Sequence, residues 1–447
     1  MKIILLFLGG LALCQGATYD YSQLIQYSLL FYEAQRSGKL PADQKVTWRK
    51  DSALNDKGQN GEDLTGGYYD AGDYVKFGYP MAFTATLLAW SLIDYEQGYA
   101  KANSVEDARK AVKWATDYFL KAHVSEHEFY GQVGEGNLDH NSWGRPEDMT
   151  MERPAYKIDE QNPGTELAAE TAAALAAASI VFKSVDPSYS NTLLTHAKQL
   201  YDFGDNFRGK YSESINDAQQ FYRSNEFEDE LVWGALWLYK ATMDESFLTK
   251  AQQYYDDFGI AEYNPWFSWD QKCTSSQLLL AQITQEQQYI DKITAYCDHM
   301  ISGQQRTPKG LVYIDTWGSL RMAANAAYLC LEAASAGLKP TEYRAFATEQ
   351  IGYALGDTGK SFVVGFGVNP PSHESHRSSS CPDAPAPCDW VTYGSVDPNP
   401  HVLYGAIVGG PGPNDEYDDQ RYDYVHNEVA DDYNAGYQGC LAALNEL

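Results

Sequence analysis

TELAAETAAALAAASIVF, from Thr165 to Phe182, is rich in Ala and Leu, two strong helix formers, and reads as one long helix. Apolar residues recur at helical spacing on both sides of it. Counting it as Thr165 to Lys183, the series before it holds Ser22 to Ser37, Phe83 to Glu96 and Val105 to Lys121. After it come Asn191 to Phe203, Glu228 to Ala241, Phe247 to Phe258, Ser276 to Gln285 and Tyr289 to Ile301. Leu320 to Ala336, Thr341 to Leu355 and Glu428 to Asn445 complete about twelve helical stretches. Few segments alternate in the manner of strands. The loops between them are unequal, and four are long: Lys45 to Pro80, Val124 to Pro163, Tyr263 to Lys272 and Gly356 to Arg421. Long loops without regular structure are usually functional. About twelve helices with such loops predict an all-α chain of paired helices in a closed double ring, an (α/α)6 barrel. A solenoid would carry a repeat of fixed period, and none is visible.

The first residues, MKIILLFLGGLALCQGA, combine a Met-Lys start, an apolar run and small residues. They read as a secretory signal, 1–16, cleaved after Gly16. No later run is read as a membrane helix, so the mature chain is expected to be soluble and secreted. No Ser/Thr/Pro-rich linker divides the rest, so 17–447 reads as a single catalytic domain. Of seven cysteines, Cys14 leaves with the signal. The remaining six suit an oxidising compartment. Cys381 and Cys388, flanking a Pro-rich loop, are the expected local pair; the other connections stay open. The net charge of −28 argues against nucleic acid or anionic membrane as partners, because both need basic patches. Aromatics make up 14% of the chain, 34 of them tyrosines, which fits a folded protein and a wet, sugar-lined cleft.

YYDAGDYVKFGYP, from Tyr68 to Pro80, sets Asp70 and Asp73 three residues apart among tyrosines. Two carboxylates this close can orient and activate one water. Taken alone, Asp-Ala-Gly-Asp also describes a turn. A second acidic and aromatic segment, YDDQRYDYVHNEVADDYNAG, runs from Tyr417 to Gly436. Carboxylates from both ends of the chain, each among rings, suggest glycoside hydrolysis, which needs two opposed carboxyl groups.

With these motifs the sequence resembles glycoside hydrolase family nine, of the animal endoglucanase type. The resemblance rests on DAGDYVKFGYPMA (Asp70 to Ala82), GQVGEGNLDHNSWGRPEDMTMERP (Gly131 to Pro154), DELVWGALWLYKAT (Asp229 to Thr242) and WGSLRMAANAA (Trp317 to Ala327). The C-terminal signature is met by Tyr417, Asp419, Tyr424, Glu428, Ala430 and Asn434. A further signature is imperfect in GFGVNPPSHESHRSSS, Gly365 to Ser380. Arg377 fits, but Ser375 stands where the family has histidine, and His373 or His376 is the candidate to compensate.

The resemblance implies an inverting endo-β-1,4-glucanase. Asp73 would be the general base, Asp70 would hold the water with it, and Glu428 would be the general acid. Inversion asks for carboxyl groups roughly 6.5–9.5 Å apart. The acid needs a raised pKa, expected from burial beside Tyr424 and Tyr433 and from carboxylates such as Asp419. Glu428 is also expected to start the last helix, where the dipole would lower its pKa.

Arg321, Arg377 and His376 are candidates to hold sugar hydroxyls, as is His140; the arginines could instead pair with surface acids, and His376 could be a satisfied structural histidine. Trp143, Trp266, Trp317, Tyr222 and Tyr433 are candidate stacking platforms, though each could equally be a packing residue. The family often binds a structural calcium. Asp229, Glu230 and Asp270 would be its ligands, with Ser224 contributing; Asp229 could instead simply cap a helix. No cofactor is expected for the chemistry, and a monomer acting on β-1,4-glucan oligo- and polysaccharides is expected. Lichenan, glucomannan or xylan as substrate, and a carbohydrate-binding protein without catalysis, are the competing readings.

Overall fold

The computed structural model describes residues 19–262 and 266–447. The expected signal and Cys14 lie outside the described residues. Twelve long helices carry the architecture: α1 (Tyr21–Ala34), α2 (Gly78–Asp94), α3 (Val105–Ala122), α4 (Thr165–Phe182), α5 (Pro187–Asn206) and α6 (Glu228–Thr242), then α7 (Glu245–Asp257), α8 (Cys273–Thr284), α9 (Gln287–Ser302), α10 (Ser319–Ser335), α11 (Pro340–Leu355) and α12 (Asp431–Glu446). The even-numbered helices touch in sequence, α2 to α4 to α6 to α8 to α10 to α12 and back to α2, closing an inner ring. Each odd-numbered helix packs outside: α3 on α2, α5 on α4, α7 on α6, α9 on α8, α11 on α10, and α1 on α12. The chain is an (α/α)6 barrel, as the spacing of apolar residues predicts.

The two rings differ in sequence because they differ in surroundings. Outer helices α3, α5 and α9 bury one stripe and leave the other polar. Inner helices are buried nearly all round. Small residues let the inner helices approach: a Cβ at Gly234 of α6 would lie 3.1 Å from the Ala169 carbonyl of α4. Contrary to the sequence expectation, α4 is long and apolar enough to cross a membrane by length and composition. Its apolar surface is instead covered by α2, α5 and α6. Three of the outer helices, α1, α5 and α7, begin on side-chain caps. Asp20, Asp186 and Asp244 each accept a hydrogen bond from a first-turn N–H at 3.0 Å, each worth about 1 kcal/mol.

Alternation fixes the polarity of the barrel. Every inner helix runs the same way, and the connection that precedes each one is long, whereas most connections that follow are two to four residues. The N-terminal ends of the inner ring therefore collect the long loops on one face. A small antiparallel sheet braces that face: β1 (Lys76–Phe77), β2 (His123–Ser125), β3 (Glu128–Val133) and β4 (Ala155–Ile158), with β3 central. Lys76 of β1 is buried, ion-paired to Asp56 at 2.8 Å and donating to the Leu64 carbonyl at 2.6 Å. These contacts tie residues 56–64 of the loop before α2 to the strand that leads into it. Disulfides join Cys381 to Cys388, the expected local pair, and Cys297 to Cys330, while Cys273 and Cys440 are free and buried.

Candidate active site

Asp70 and Asp73 sit in the turn that leads into β1 and α2. The turn closes on itself, with Asp70 N–H donating to the Val75 carbonyl at 3.2 Å and Val75 N–H to Asp73 Oδ1 at 3.0 Å. Gly72 has φ of +81°, the left-handed region that suits glycine. A Cβ there would lie 2.6 Å from the Ser375 carbonyl oxygen, because the 372–380 loop passes directly over the turn. Arg377 N–H donates to Gly72 O at 3.1 Å, and Asp431 N–H donates to Asp70 O at 3.1 Å. Gln35 Nε2 donates to the carbonyls of Tyr69 and Asp70 at 3.1 and 3.2 Å. Segments from opposite ends of the chain are thus knitted around the two aspartates.

Glu428 is not in the last helix, which begins at Asp431. It follows the short helix Tyr424–Asn427 in an extended conformation, φ −62° and ψ 149°. Gly409 N–H donates to Glu428 O at 2.8 Å, and Ser375 N–H to Asn427 O at 2.8 Å. The position where Ser375 replaces the usual histidine therefore lies alongside Glu428, in parallel bridge pairing with it. The expected helix-dipole effect does not apply to Glu428, since Val429 and Ala430 separate it from the first turn.

The three carboxyl groups titrate apart. Burial and the neighbouring Asp73 charge push Asp70 well above the usual carboxylate range, although the Tyr222 hydroxyl donates to Asp70 Oδ2. Burial also opposes ionisation of Asp73, but His140, the Arg377 charge and the Val75 N–H outweigh it, and Asp73 lies below its ordinary value. His140 Nε2 stands 3.4 Å from Asp73 Oδ2, and its own pKa is raised: burial opposes, Asp73 prevails. Glu428 is pushed up to about 8 by burial and then by the Asp73 charge, with Asp432 adding to it. Asp419, expected to act on Glu428, does not figure among these charges. It braces a loop, accepting from Ser372 N–H at 2.9 Å and from His373 N–H at 3.1 Å, with His373 Nδ1 also 3.1 Å away.

The remaining candidates divide into open and enclosed groups. Trp317 is 43% exposed; its Nε1–H donates to Glu428 Oε2 at 3.1 Å and its ring lies 5.6 Å from exposed Tyr424. Trp143, half-buried, donates from Nε1 to Ser380 Oγ at 3.0 Å. Tyr222 stands edge-on to Trp269 at 5.0 Å, and Trp266 is half-buried. Tyr433 is buried, so it is no stacking platform; its hydroxyl lies 3.4 Å from Glu428 Oε2 and Arg321 lies over its ring. Arg321 donates to Asp432 Oδ2 at 2.8 Å and to the Trp317 carbonyl at 3.2 Å. Arg377 donates to Asp139 Oδ2 at 2.6 Å and to the Asp139 carbonyl at 3.1 Å. Each guanidinium group is paired to a buried carboxylate, with further N–H donors left over, Arg321 Nε among them.

His376 is 2% exposed, held neutral by burial with a pKa of about 3. Its Nε2 is 2.7 Å from Gln35 Oε1 and its Nδ1 accepts from Ser379 N–H at 3.0 Å. With both nitrogens engaged it is a structural histidine, not a sugar contact.

Asp139 escaped the sequence reading. It is buried, accepts from Tyr74 N–H at 3.2 Å as well as from Arg377, and is pushed up to about 6 by burial, with Asp73 adding. Its only signal was its place next to His140. Asp432 and Gln35 were missed for the same reason: their partners lie far away in sequence.

The family model described as glycosyl hydrolase family 9 matches residues 21–441. The chain belongs to glycosyl hydrolase family 9. The structure of an endoglucanase from the termite Nasutitermes takasagoensis, at pH 2.5, is similar with a TM-score of 0.95 and 64% identity, covering 96% of this chain and 99% of that one. Endoglucanase A of Bacillus pumilus is 48% identical over 455 residues, 98% of this chain and 68% of that protein. The cellulase Cel9M of C. cellulolyticum, solved in complex with cellobiose, has a TM-score of 0.89 at 35% identity, covering 96% of this chain and 99% of that one. The termite relative agrees with the animal-type resemblance.

This family 9 chain carries a second acidic group beside α6 and α8. Glu230 Oε1 accepts from Tyr79 at 2.7 Å and pairs with buried Lys272 at 2.9 Å. Lys272 N–H donates to Asp229 Oδ2 at 2.5 Å, and Asn225 Nδ2 to Asp270 Oδ2 at 2.6 Å. Asp229 Oδ1 and Glu230 Oε2 are buried without a hydrogen-bond partner. Burial pushes Asp229 up to about 6 and Asp270 up to about 7. Glu226 and Asp229, with Cys273, bring ligand atoms within 4.8 Å of one another, whereas Glu230 is paired to Lys272; the orphaned Asp229 and Glu230 oxygens are hard donors of the kind calcium takes. Ser224 donates to the Glu226 carbonyl at 2.7 Å, leaving its hydroxyl oxygen able to accept or coordinate.

Proposed function

We propose that the chain is a secreted endo-β-1,4-glucanase that cuts internal bonds of cellulose and soluble β-glucans with inversion. Residues 1–16 direct secretion and 17–447 form one catalytic domain. Asp73, its pKa held below the ordinary value, takes a proton from water. Asp70, beside it and accepting from the Tyr222 hydroxyl, shares in holding that water. Glu428, protonated to about pH 8, gives its proton to the departing glycosidic oxygen. The observation that carries this reading is the opposite displacement of Asp73 and Glu428, which supports Asp73 as base and Glu428 as acid. The chemistry is done by carboxyl groups, so no cofactor enters a step.

Trp317, Tyr222, Trp143, Trp266 and His140 contact the glucan. Arg321, Arg377, Tyr433, Asp419 and His376 hold those contacts in place. A calcium ion held by Asp229, Glu230 and Asp270 would staple the segment before α6 to the turn before α8. The cellobiose held by the Cel9M relative agrees with a β-1,4-glucan substrate.

Hydrolysis of cellopentaose, with new reducing ends followed by NMR, tests the mechanism. Initial α-anomer is expected; initial β-anomer would overturn inversion. Asp73→Asn and Glu428→Gln should each lower kcat by about 10²–10⁴-fold while the fold is kept.

A further inference from the structure

Next to Trp143 lies a pair of rings that the chemistry above does not use. The loop closed by the Cys381–Cys388 disulfide leads into a single helical turn, Trp390–Tyr393. Trp390 is 50% exposed, and its ring centroid lies 6.0 Å from Trp143 and 5.3 Å from Tyr393. Tyr393 in turn lies 4.6 Å from Trp143. Trp143 is tied to the reaction centre, because the Arg377 guanidinium lies 5.6 Å over its ring and Arg377 also holds Asp139 beside His140 and Asp73.

Exposed rings on a mobile loop would mean little. This turn is rigidly held. Asp389 caps it in a reciprocal capping box with Thr392. Arg421, buried, donates to the carbonyls of Thr392, Tyr393, Ser395 and Asp397 at 3.0 to 3.2 Å. Arg145 grips the other side of the loop through the carbonyls of Pro382 and Ala386, at 2.9 and 2.5 Å. Two guanidinium groups and a disulfide thus fix a turn that carries exposed Trp390 and half-buried Tyr393, with exposed Val391 between them. Holding rings in place beforehand removes an ordering cost on binding, and contiguous exposed apolar surface marks a contact site.

We propose that Trp390 and Tyr393 form a stacking platform for sugar units of the glucan beyond those contacted by Trp143, making the enzyme discriminate long chains from short ones. The inference rests on the β-1,4-glucanase reading. A glucan is the occupant because both rings touch Trp143, which Arg377 links to the reaction centre, and a neutral sugar suits the rings while the surrounding chain is strongly acidic. Amphipathic rings offer a flat apolar face to the sugar and, at Tyr393, a polar tip.

The test compares kcat/KM on cellohexaose and cellotriose for the wild type and for Trp390→Ala, Tyr393→Ala and Trp390→Phe. In each alanine variant the ratio of the two values should fall about five- to tenfold, with KM for the hexaose carrying the change. Trp390→Phe should restore most of the ratio. An unchanged ratio in alanine variants that keep the wild-type melting temperature overturns the proposal. So does an equal loss on both lengths, which would mean that the turn only supports Trp143. If the wild type cleaves neither oligosaccharide, the glucanase reading itself fails, and the platform falls with it.

Discussion

Trp317 donates its indole N–H to Glu428 Oε2 at 3.1 Å while the same carboxyl is raised to about 8 by burial and by Asp73. The bond favours the charged form, so it restrains the upward shift. With Glu428 proposed as the protonated acid, activity is expected to fall as pH rises through its pKa. Removing the donor in Trp317→Phe raises that pKa further. The alkaline limb of kcat/KM against pH should move to higher pH, by no more than about one pH unit given the exposure of Trp317. A limb that stays put or moves down would break the link between this bond and the acid.

His140 acts on both carboxyl groups with the same sign. Its positive form favours ionised Asp73, and it also lowers Glu428. In His140→Ala both pKa values rise. The base then needs a higher pH to ionise, and the acid stays protonated to a higher pH. Both limbs of the bell should shift upward together, read from kcat/KM profiles on a soluble β-glucan. Movement of only one limb would mean that His140 does not sit between base and acid in the working enzyme.

The barrel was legible because helix periodicity is local. Each of the twelve stretches read from apolar spacing has its helix, and most boundaries differ by only a few residues. The exception bears on function. Glu428 was read into α12, since EVADDYNAG continues a helical pattern, yet the pairing of Ser375 and Gly409 with Asn427 and Glu428 holds it extended. That pairing joins segments far apart in sequence and leaves no local trace. The same holds for the arginines. Arg321 and Arg377 read as free donors for sugars until Asp432 and Asp139 are seen to occupy them. Motif residues touching the reaction were readable by type and spacing; the residues that aim them were not.

Calcium should act on stability and leave the chemistry alone. Asp229, Glu230 and Asp270 lie at the start of α6 and before α8, and Asp229 and Glu230 hold buried oxygens without partners. At a hundredfold excess over its Kd a bound ion adds about 2.7 kcal/mol. Chelation should lower the melting temperature while the initial rate at moderate temperature is little changed. Asp229→Asn should melt low whether or not calcium is added. Equal melting of chelated and calcium-loaded wild type, with metal content verified, would remove the ion from this site.

Gly72 is the point where the aspartate turn and the 372–380 loop are pressed together. Its φ of +81° costs an L-residue about 1–2 kcal/mol, and a Cβ would meet Ser375 O at 2.6 Å. The obstruction is backbone, so the turn or the loop must move. The turn carries Asp73 and the loop lies against Glu428, so any shift changes the placement of the base relative to the acid. Gly72→Ala should therefore lose activity out of proportion to stability. The melting temperature should fall by a few degrees, and kcat by about 10²-fold, the scale of a 1 Å misplacement. A variant with lowered melting but unaltered kcat would show that the contact serves folding alone.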